Sequence, residues 1–155
     1  MNVMNKILAP LAFLLLAACT HGARLETPSG FANLGDDDAF SYRAASARGV
    51  VITTRTEPND VKANTDFWAE ALDVRLKDRG YVADGTKAVK TNKGLAGTQL
   101  RYLTKKNGRD HRYWVTVIAT KSKVYVIEAA GDKDAFDPAT PTVEHAIGTL
   151  DATDG

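Results

Sequence analysis

A single cysteine, Cys19, ends a short apolar run near the N-terminus. Lys6 precedes the run, and residues 7–18 are apolar apart from Pro10. A positive residue, an apolar stretch and a small-residue end are typical of a cleaved secretory signal peptide. We therefore predict that residues 1–18 are removed. The remaining chain has no second cysteine, so no intramolecular disulfide can form and its stability must come from packing.

Two other interpretations of the apolar run are open. A signal for release in soluble form needs a small-x-small cleavage site and no cysteine. A retained transmembrane helix needs about 20 consecutive apolar residues, and residues 7–18 are too few.

The end of the run, Leu16-Ala17-Ala18-Cys19, resembles the lipobox of bacterial lipoproteins. The resemblance implies diacylglyceryl transfer to the Cys19 thiol, cleavage between Ala18 and Cys19, and acylation of the new N-terminus. Several acyl chains hold a protein on a membrane far more firmly than one. Thr20 rather than Asp follows the cysteine. In sorting of the enterobacterial type, this implies the outer membrane, with the protein facing the periplasm.

The mature chain is close to electrically neutral, because the whole chain carries a formal charge of +1 and cleavage removes Lys6. Binding to nucleic acid depends on clustered Lys and Arg that neutralise phosphates, and the sequence has no such stripe. We therefore predict no nucleic-acid partner. Residues 19–30 are polar and are predicted to form a lipidated tether. Residues 31–155 are predicted to form a single domain, long enough to bury a core.

Alternating apolar and polar residues predict strands at 40–45 and 50–56 and a meander of long strands at 97–105, 110–120 and 123–130. Asn107-Gly108 joins the first two strands of the meander and is a strong hairpin signal. Upstream, Asp84-Gly85 predicts a turn between two short apolar segments.

One amphipathic helix is predicted over residues 61–79. Asn59 or Asp60 is the expected N-cap, and Gly80 stands where a helix commonly ends in the left-handed conformation. Trp68 lies on the apolar stripe, and we expect it to anchor the helix to the sheet.

A last helix is predicted to begin with Thr140 as N-cap and Pro141 as its first residue, after a single helical turn at 133–136. The chain therefore runs through strands, a helix, a meander and a second helix. This order predicts an α+β domain in which an antiparallel sheet packs between the long helix and the C-terminal helix.

The second half of the chain is similar to the PsbP/DcrB-like superfamily. The resemblance lies in Gly80-Tyr81, in Tyr113-Trp114-Val115-Thr116-Val117, in the run 124–131, and in Phe136 with the helix after it. It covers roughly residues 31–151. It implies an antiparallel sheet between helices and a non-enzymatic, protein-binding accessory role. It transfers no functional residue, because members of the superfamily share no common site.

Acidic clusters and histidines are the candidate metal ligands of this chain. Asp36, Asp37 and Asp38 are adjacent in a predicted loop, which is more typical of a solvated turn than of a calcium site. The segment 132–137 lacks the spacing of a calcium loop. The histidines stand alone, without partners at ligand spacing. We therefore predict no metal, no cofactor and no catalytic residue.

Two binding hypotheses remain. Arg101, Arg109 and Arg112 give the predicted hairpin a basic tip, which is either solvated or a docking site for an acidic partner or lipid headgroups. The first function hypothesis is thus a lipid-anchored envelope accessory protein that acts by protein contact. The alternative is a carrier of a small ligand in a pocket between sheet and helix, lined by Trp68, Tyr102 and Trp114.

Overall fold

The computed structural model describes residues 22–152, which form one seven-stranded sheet and two helices. The elements in chain order are β1 (Phe31–Asn33), β2 (Tyr42–Ser46), β3 (Val51–Pro58), α1 (Thr65–Asp78), β4 (Val82–Lys90), β5 (Ala96–Lys106), β6 (Arg109–Ala119), β7 (Lys123–Asp132) and α2 (Lys133–Gly148). The strands lie in the order β1-β2-β3-β7-β6-β5-β4, and every neighbouring pair is antiparallel.

The two helices cover opposite faces of the sheet. Successive residues of β6 point to opposite sides, so Val115 packs with the buried residues under α1 while Trp114 packs with those under α2. Both faces of β6 and β7 are consequently apolar, as expected for central strands covered on both sides. The predicted α+β fold, a sheet packed between the long helix and the C-terminal helix, is confirmed.

Helix α1 begins at Thr65, and the prediction of a start near residue 61 was wrong. Asn64 is the N-cap, and its side chain accepts a hydrogen bond from the Phe67 N–H at 3.0 Å. Lys62 adopts φ 53, a left-handed conformation that no helix can contain. The predicted end is confirmed, because Gly80 has φ 87 and donates to the carbonyl of Lys77 in a Schellman motif.

Strand β4 is continuous where a turn was predicted at Asp84-Gly85. The ladder with β5 shifts register between Ala83 and Gly85, so the extra residue forms a β-bulge rather than a reversal. Gly85 has φ 127, which only glycine adopts readily, and this explains why the dipeptide had the composition of a turn.

Helix α2 begins at Lys133, seven residues before the predicted N-cap, Thr140. The helix contains Pro138, which has no N–H to donate to the carbonyl four residues earlier. That carbonyl, on Asp134, instead accepts a hydrogen bond from Arg48 Nη2 at 3.2 Å. A side chain distant in sequence thus supports a helix that the proline pattern alone argued against.

The tether predicted over residues 19–30 is wrong for its second half. Ala23 and Leu25 are buried in the core under α2, and the backbones of Arg24 and Asp151 exchange hydrogen bonds at 3.0 and 2.8 Å. The folded domain therefore begins about eight residues before residue 31. The signal peptide at 1–18, Ala18 and Cys19 lie outside the described residues, and their predictions remain untested. Neither helix in residues 22–152 has the length and apolarity needed to cross a membrane.

Candidate functional site

The three arginines predicted to form one basic hairpin tip lie in two different places. Arg109 is at the tip, exposed, with its Nη2 2.8 Å from Asp132 Oδ2. Arg101 lies opposite Trp114 in the ladder between β5 and β6, well away from the turn. Arg101 and Arg112 both point to the α2 face and are largely buried, with 24% and 18% of their side chains exposed. The prediction of a single exposed patch was therefore wrong.

Arg101 and Arg112 line a cleft of about 460 Å³ between α2 and the outer strands of the sheet. We call it the arginine cleft. Four elements build its wall: the β4 bulge, β5, β6 and α2, which contribute Asp84, Arg101, Arg112, Trp114, Asp137, Thr140 and Pro141. The bulge matters here because it brings the Asp84 carboxylate to Arg112.

Each arginine of the cleft holds α2 against the sheet. Arg112 Nε donates to Asp137 Oδ1 at 2.8 Å, and its other end bonds Asp84. Arg101 Nη2 donates to Glu144 Oε1 at 2.5 Å. Its guanidinium carbon lies 4.0 Å from the centre of the Trp114 ring, a cation–π distance. These contacts tie two strands to two turns of one helix.

Two carboxylates of this network, Asp137 and Glu144, are held ionised. Hydrogen bonds from Arg112 and Lys133 lower the pKa of Asp137, and those from Lys87 and Arg101 lower the pKa of Glu144. A general acid or base at neutral pH needs the opposite, a carboxyl pKa raised towards the working pH. The arrangement therefore suits binding and structure better than proton transfer.

Trp114 lines the arginine cleft and carries a polar group without a partner in residues 22–152. Its side chain is buried, and its ring packs edge-on against Phe136 at 4.8 Å. Its Nε1–H is buried and has no acceptor in the described structure. Buried donors nearly always have a partner, so an N–H without one is unusual beside a cleft.

A second cleft, of about 320 Å³, lies on the opposite face between α1 and strands β4 and β5. Tyr102 Oη donates to Asp73 Oδ1 at 2.7 Å, and Lys77 Nζ contacts Asp73 Oδ2 at 2.6 Å. Burial, together with the Asp73 carboxylate, raises the pKa of Tyr102 above its ordinary range. This tyrosine is consequently a hydrogen-bond donor and not a nucleophile.

The pocket predicted between Trp68, Tyr102 and Trp114 does not exist, because the sheet separates these side chains. Trp68 and Tyr102 belong to the α1 side, and Trp114 belongs to the α2 side. Trp68 is half-buried, and its Nε1 donates to Asn59 Oδ1 at 3.1 Å. Trp68 packs against the buried residues between α1 and the sheet, and this hydrogen bond ties it to the loop before α1.

The acidic loop is stabilised by protein partners. Asp37 accepts hydrogen bonds from the N–H groups of Ala39 and Phe40, both at 2.9 Å, and pairs with Arg43. Asp36 pairs with Arg24 at 3.2 Å. Within residues 22–152, no group of three His, Cys, Asp or Glu side chains is placed to hold a metal ion.

Sequence reasoning missed the acidic partners of the two arginines in the cleft. Asp84, Asp137 and Glu144 lie 28, 25 and 43 residues from their arginine partners. The only local signal was the spacing of Lys133 and Asp137, which form an ion pair one helical turn apart.

Comparison with known proteins finds structures of similar fold but does not assign the chain to a family. No family model and no curated protein matches the sequence. LpqN of Mycobacterium tuberculosis, described as involved in cell envelope biogenesis, has a similar structure, with a TM-score of 0.70 and 14% identity over 85% of this chain and 83% of that one. Cyanobacterial PsbP from Synechocystis sp. PCC 6803 matches with a TM-score of 0.56 and 9% identity over 88% and 96%.

A third structure, a Pseudomonas aeruginosa protein of unknown function, matches with a TM-score of 0.52 and 15% identity over 84% of this chain and 87% of that one. At identities this low, the similarity establishes a shared fold alone. The expectation of a PsbP-like fold is confirmed.

Proposed function

We propose that the chain is a lipid-anchored accessory protein of a bacterial cell envelope that acts by binding another protein and catalyses no reaction. The observation that carries the proposal is Leu16-Ala17-Ala18-Cys19 at the end of an apolar run, immediately before a folded domain. The described role of LpqN in envelope biogenesis supports it. The residue after the cysteine, Thr20, favours the outer membrane and a periplasmic domain.

The chemistry in and around the two clefts supports a binding role. Asp73, Asp137 and Glu144 have lowered pKa values because cations donate hydrogen bonds to them. The tyrosines Tyr102 and Tyr113 have raised pKa values because they are buried and face carboxylates. At neutral pH each of these carboxyls therefore stays ionised and each of these tyrosines stays protonated. Such groups hold ion pairs and hydrogen bonds and are not poised to transfer protons.

The lipid anchor is tested by metabolic labelling with an alkyne analogue of palmitate. The native chain should incorporate the label and remain in the membrane fraction. Cys19→Ser should lose the label, because only the thiol is alkylated, and should leave the membrane. Ser29→Ala is a matched control, since it removes an exposed hydroxyl outside the lipobox and should keep the label. Label retained on Cys19→Ser would overturn the proposed anchoring.

Arg109 is the one predicted partner residue that is still exposed, with 72% of its side chain accessible. If the hairpin docks an acidic partner, Arg109→Glu together with Lys106→Glu should reduce partner recovery from crosslinked envelopes several-fold at low salt. Rim charges steer association and are screened by salt, so the difference should shrink at high salt. Equal recovery at low salt would show that the hairpin is merely solvated.

The second candidate function is carriage of a small ligand in the arginine cleft. The specific observation that favours it is the buried Trp114 Nε1–H without an acceptor. The ligand would present an oxygen acceptor to this N–H. Trp68→Phe leaves Trp114 as the sole tryptophan, since the chain has two. Its indole ¹H–¹⁵N resonance should move when an extract of envelope small molecules is added, and an unchanged resonance would exclude this candidate.

A further inference from the structure

We infer that one end of the sheet rests directly on the headgroups of a phospholipid bilayer. We call it the anchor end and define it by the β3–α1 loop at 59–64 and the β6–β7 turn at 120–123. The inference rests on the proposed lipidation of Cys19 and adds the face of the domain that meets the membrane.

The distance from the lipid to the domain follows from where the chain becomes fixed. The carbonyl of Ala23 accepts hydrogen bonds from the hydroxyls of Ser41 and Thr54, each at 2.7 Å. Leu25 is buried two residues later. Only Thr20 and His21 separate Cys19 from the described residues. Three Cα–Cα steps span at most about 11 Å, so a lipidated Cys19 would hold Gly22 within about 11 Å of the headgroup layer.

The pairing of the strands shows where Gly22 lies relative to the β3–α1 loop and the β6–β7 turn. Ser41 directly precedes β2, and antiparallel β3 runs past it to Pro58. Lys123, the first residue of β7, pairs with Pro58. Asn59 then joins the loop to the turn, because its N–H donates to the Ser122 carbonyl at 2.8 Å and its Nδ2 to the Thr120 carbonyl at 2.7 Å. The loop and the turn therefore lie at one end of the sheet, and the chain entry, level with Thr54, lies about 13 Å from that end along β3.

The exposed side chains of this end are those that suit a membrane interface. Val61 is 67% exposed in the loop, and Phe67 is 54% exposed in the first turn of α1. Lys62 and Lys121 are exposed beside them, and within residues 22–152 neither forms an ion pair.

Apolar and aromatic side chains that insert shallowly, with lysines reaching phosphates, are the usual chemistry of interfacial binding. The exposed carboxylates Glu57, Asp60 and Asp66 balance the three lysines of this end, Lys62, Lys121 and Lys123. The exposure of Val61 and Phe67, together with two lysines that are free of ion pairs and can reach phosphates, therefore favours a phospholipid bilayer.

With the anchor end on the membrane, the β5–β6 hairpin lies at the far end of the sheet. β6 runs for 11 residues from Arg109 at one end to Ala119 at the other. At about 3.3 Å per residue, the hairpin tip lies on the order of 35 Å from the anchor end. The hairpin and the nearby arginine cleft then face away from the membrane, where a protein partner can reach them. Lipid headgroups are thereby a poor partner for Arg109.

The test uses the single cysteine of the chain. Acylation consumes the Cys19 thiol, so Val61→Cys and Lys106→Cys each introduce one labelling site, at opposite ends of the molecule. The lipidated variants carry an environment-sensitive fluorophore and are placed in vesicles of phosphatidylethanolamine and phosphatidylglycerol. Doxyl-labelled lipid should quench the label at 61 at least threefold more than the label at 106. Equal quenching would overturn the inference.

The contribution of the lysines is measured with Lys62→Glu and Lys121→Glu in the Val61→Cys background. Quenching at 61 should fall by about half on anionic vesicles, while the lipid still holds the protein there. Unchanged quenching would refute the role of charge. Lys105→Glu with Lys106→Glu, at the far end, is the matched control and should change nothing. Failure of the native protein to float with vesicles would instead refute the proposed anchoring, so the two failures are distinguishable.

Discussion

At the scale of single residues, Asn59 is the polar side chain on which the β3–α1 loop depends. It is 2% exposed, and its amide makes hydrogen bonds to Ala63 N–H, Ala63 carbonyl, Thr120 carbonyl and Trp68 Nε1. Asparagine is a common helix cap, and the sequence alone predicted that Asn59 or Asp60 has that role. In the folded protein it instead satisfies buried backbone groups of two loops at once.

Asn59→Ala should lower the free energy of unfolding by about 2–4 kcal/mol, because several buried groups would lose their partner at roughly 1 kcal/mol each. Urea unfolding followed by circular dichroism measures this. Trp68→Phe removes one of the bonds and should cost about 1 kcal/mol. A loss for Asn59→Ala no larger than that for Trp68→Phe would show that the loop does not depend on the amide.

At the scale of elements, the pairing of β5 with β6 requires Gly97 to have no side chain. A Cβ at this position would lie 2.5 Å from Ile118 Cγ1 and 2.8 Å from the Val117 carbonyl oxygen. The backbone here has an ordinary φ, so crowding, and not conformation, selects glycine. Nothing in the local sequence distinguishes this glycine from one in a turn.

Gly97→Ala should destabilise the protein by roughly 2–4 kcal/mol, since overpacking against a backbone atom cannot be relieved by a rotamer change. Gly148→Ala is the matched control: the nearest atom to its Cβ, Asn92 Oδ1, is 3.7 Å away, and alanine suits the last turn of a helix. Thermal unfolding should show a clear drop for the first variant and none for the second. Equal melting temperatures would contradict the close approach of these two strands at Gly97.

At the scale of the whole molecule, ion pairs fasten α2 to the sheet, and a hydrogen bond from Tyr102 to Asp73 fastens α1. Lys77 and Tyr102 lower the pKa of Asp73 on α1, while Arg112 and Lys133 lower that of Asp137 on α2. Lys87 and Arg101 lower that of Glu144. Because these folded-state values lie below the unfolded ones, the unfolded chain binds protons first as the pH falls. The stabilisation is therefore complete above about pH 5 and is lost through and below the ordinary carboxyl range near 4.

The melting temperature should accordingly be level from about pH 7 to 5 and fall steeply from about pH 4 downward. Asp137→Asn with Glu144→Gln should melt lower at neutral pH and show a shallower acid decline, because two of the responsible carboxyls are gone. Thermal melts from pH 7 to 3 compare the two proteins. If the melting temperature of the double variant fell with pH as steeply as that of the native protein, these ion pairs would not be the cause of the pH dependence.

Local signals predicted the elements whose geometry is decided by neighbours in the chain. Asn107-Gly108 forms the hairpin, with φ values of 51 and 77 that suit this dipeptide, and Gly80 ends α1. The strands of the meander matched closely, because side-chain alternation is itself a local property. The failures were the start of α1, the bulge in β4 and the start of α2, each of which depends on a partner distant in sequence.

The sequence by itself determined the class of the fold, an antiparallel sheet between two helices, since apolar periodicity specifies which faces must be buried. It also determined the candidate lipidation site, which is read as a linear motif. Only the tertiary structure decided that Arg101 and Arg112 hold a helix while Arg109 stays exposed, and that Trp68 and Trp114 lie on opposite sides of the sheet. Strand register and helix docking set these contacts, and their energies belong to pairs of residues that no local window contains.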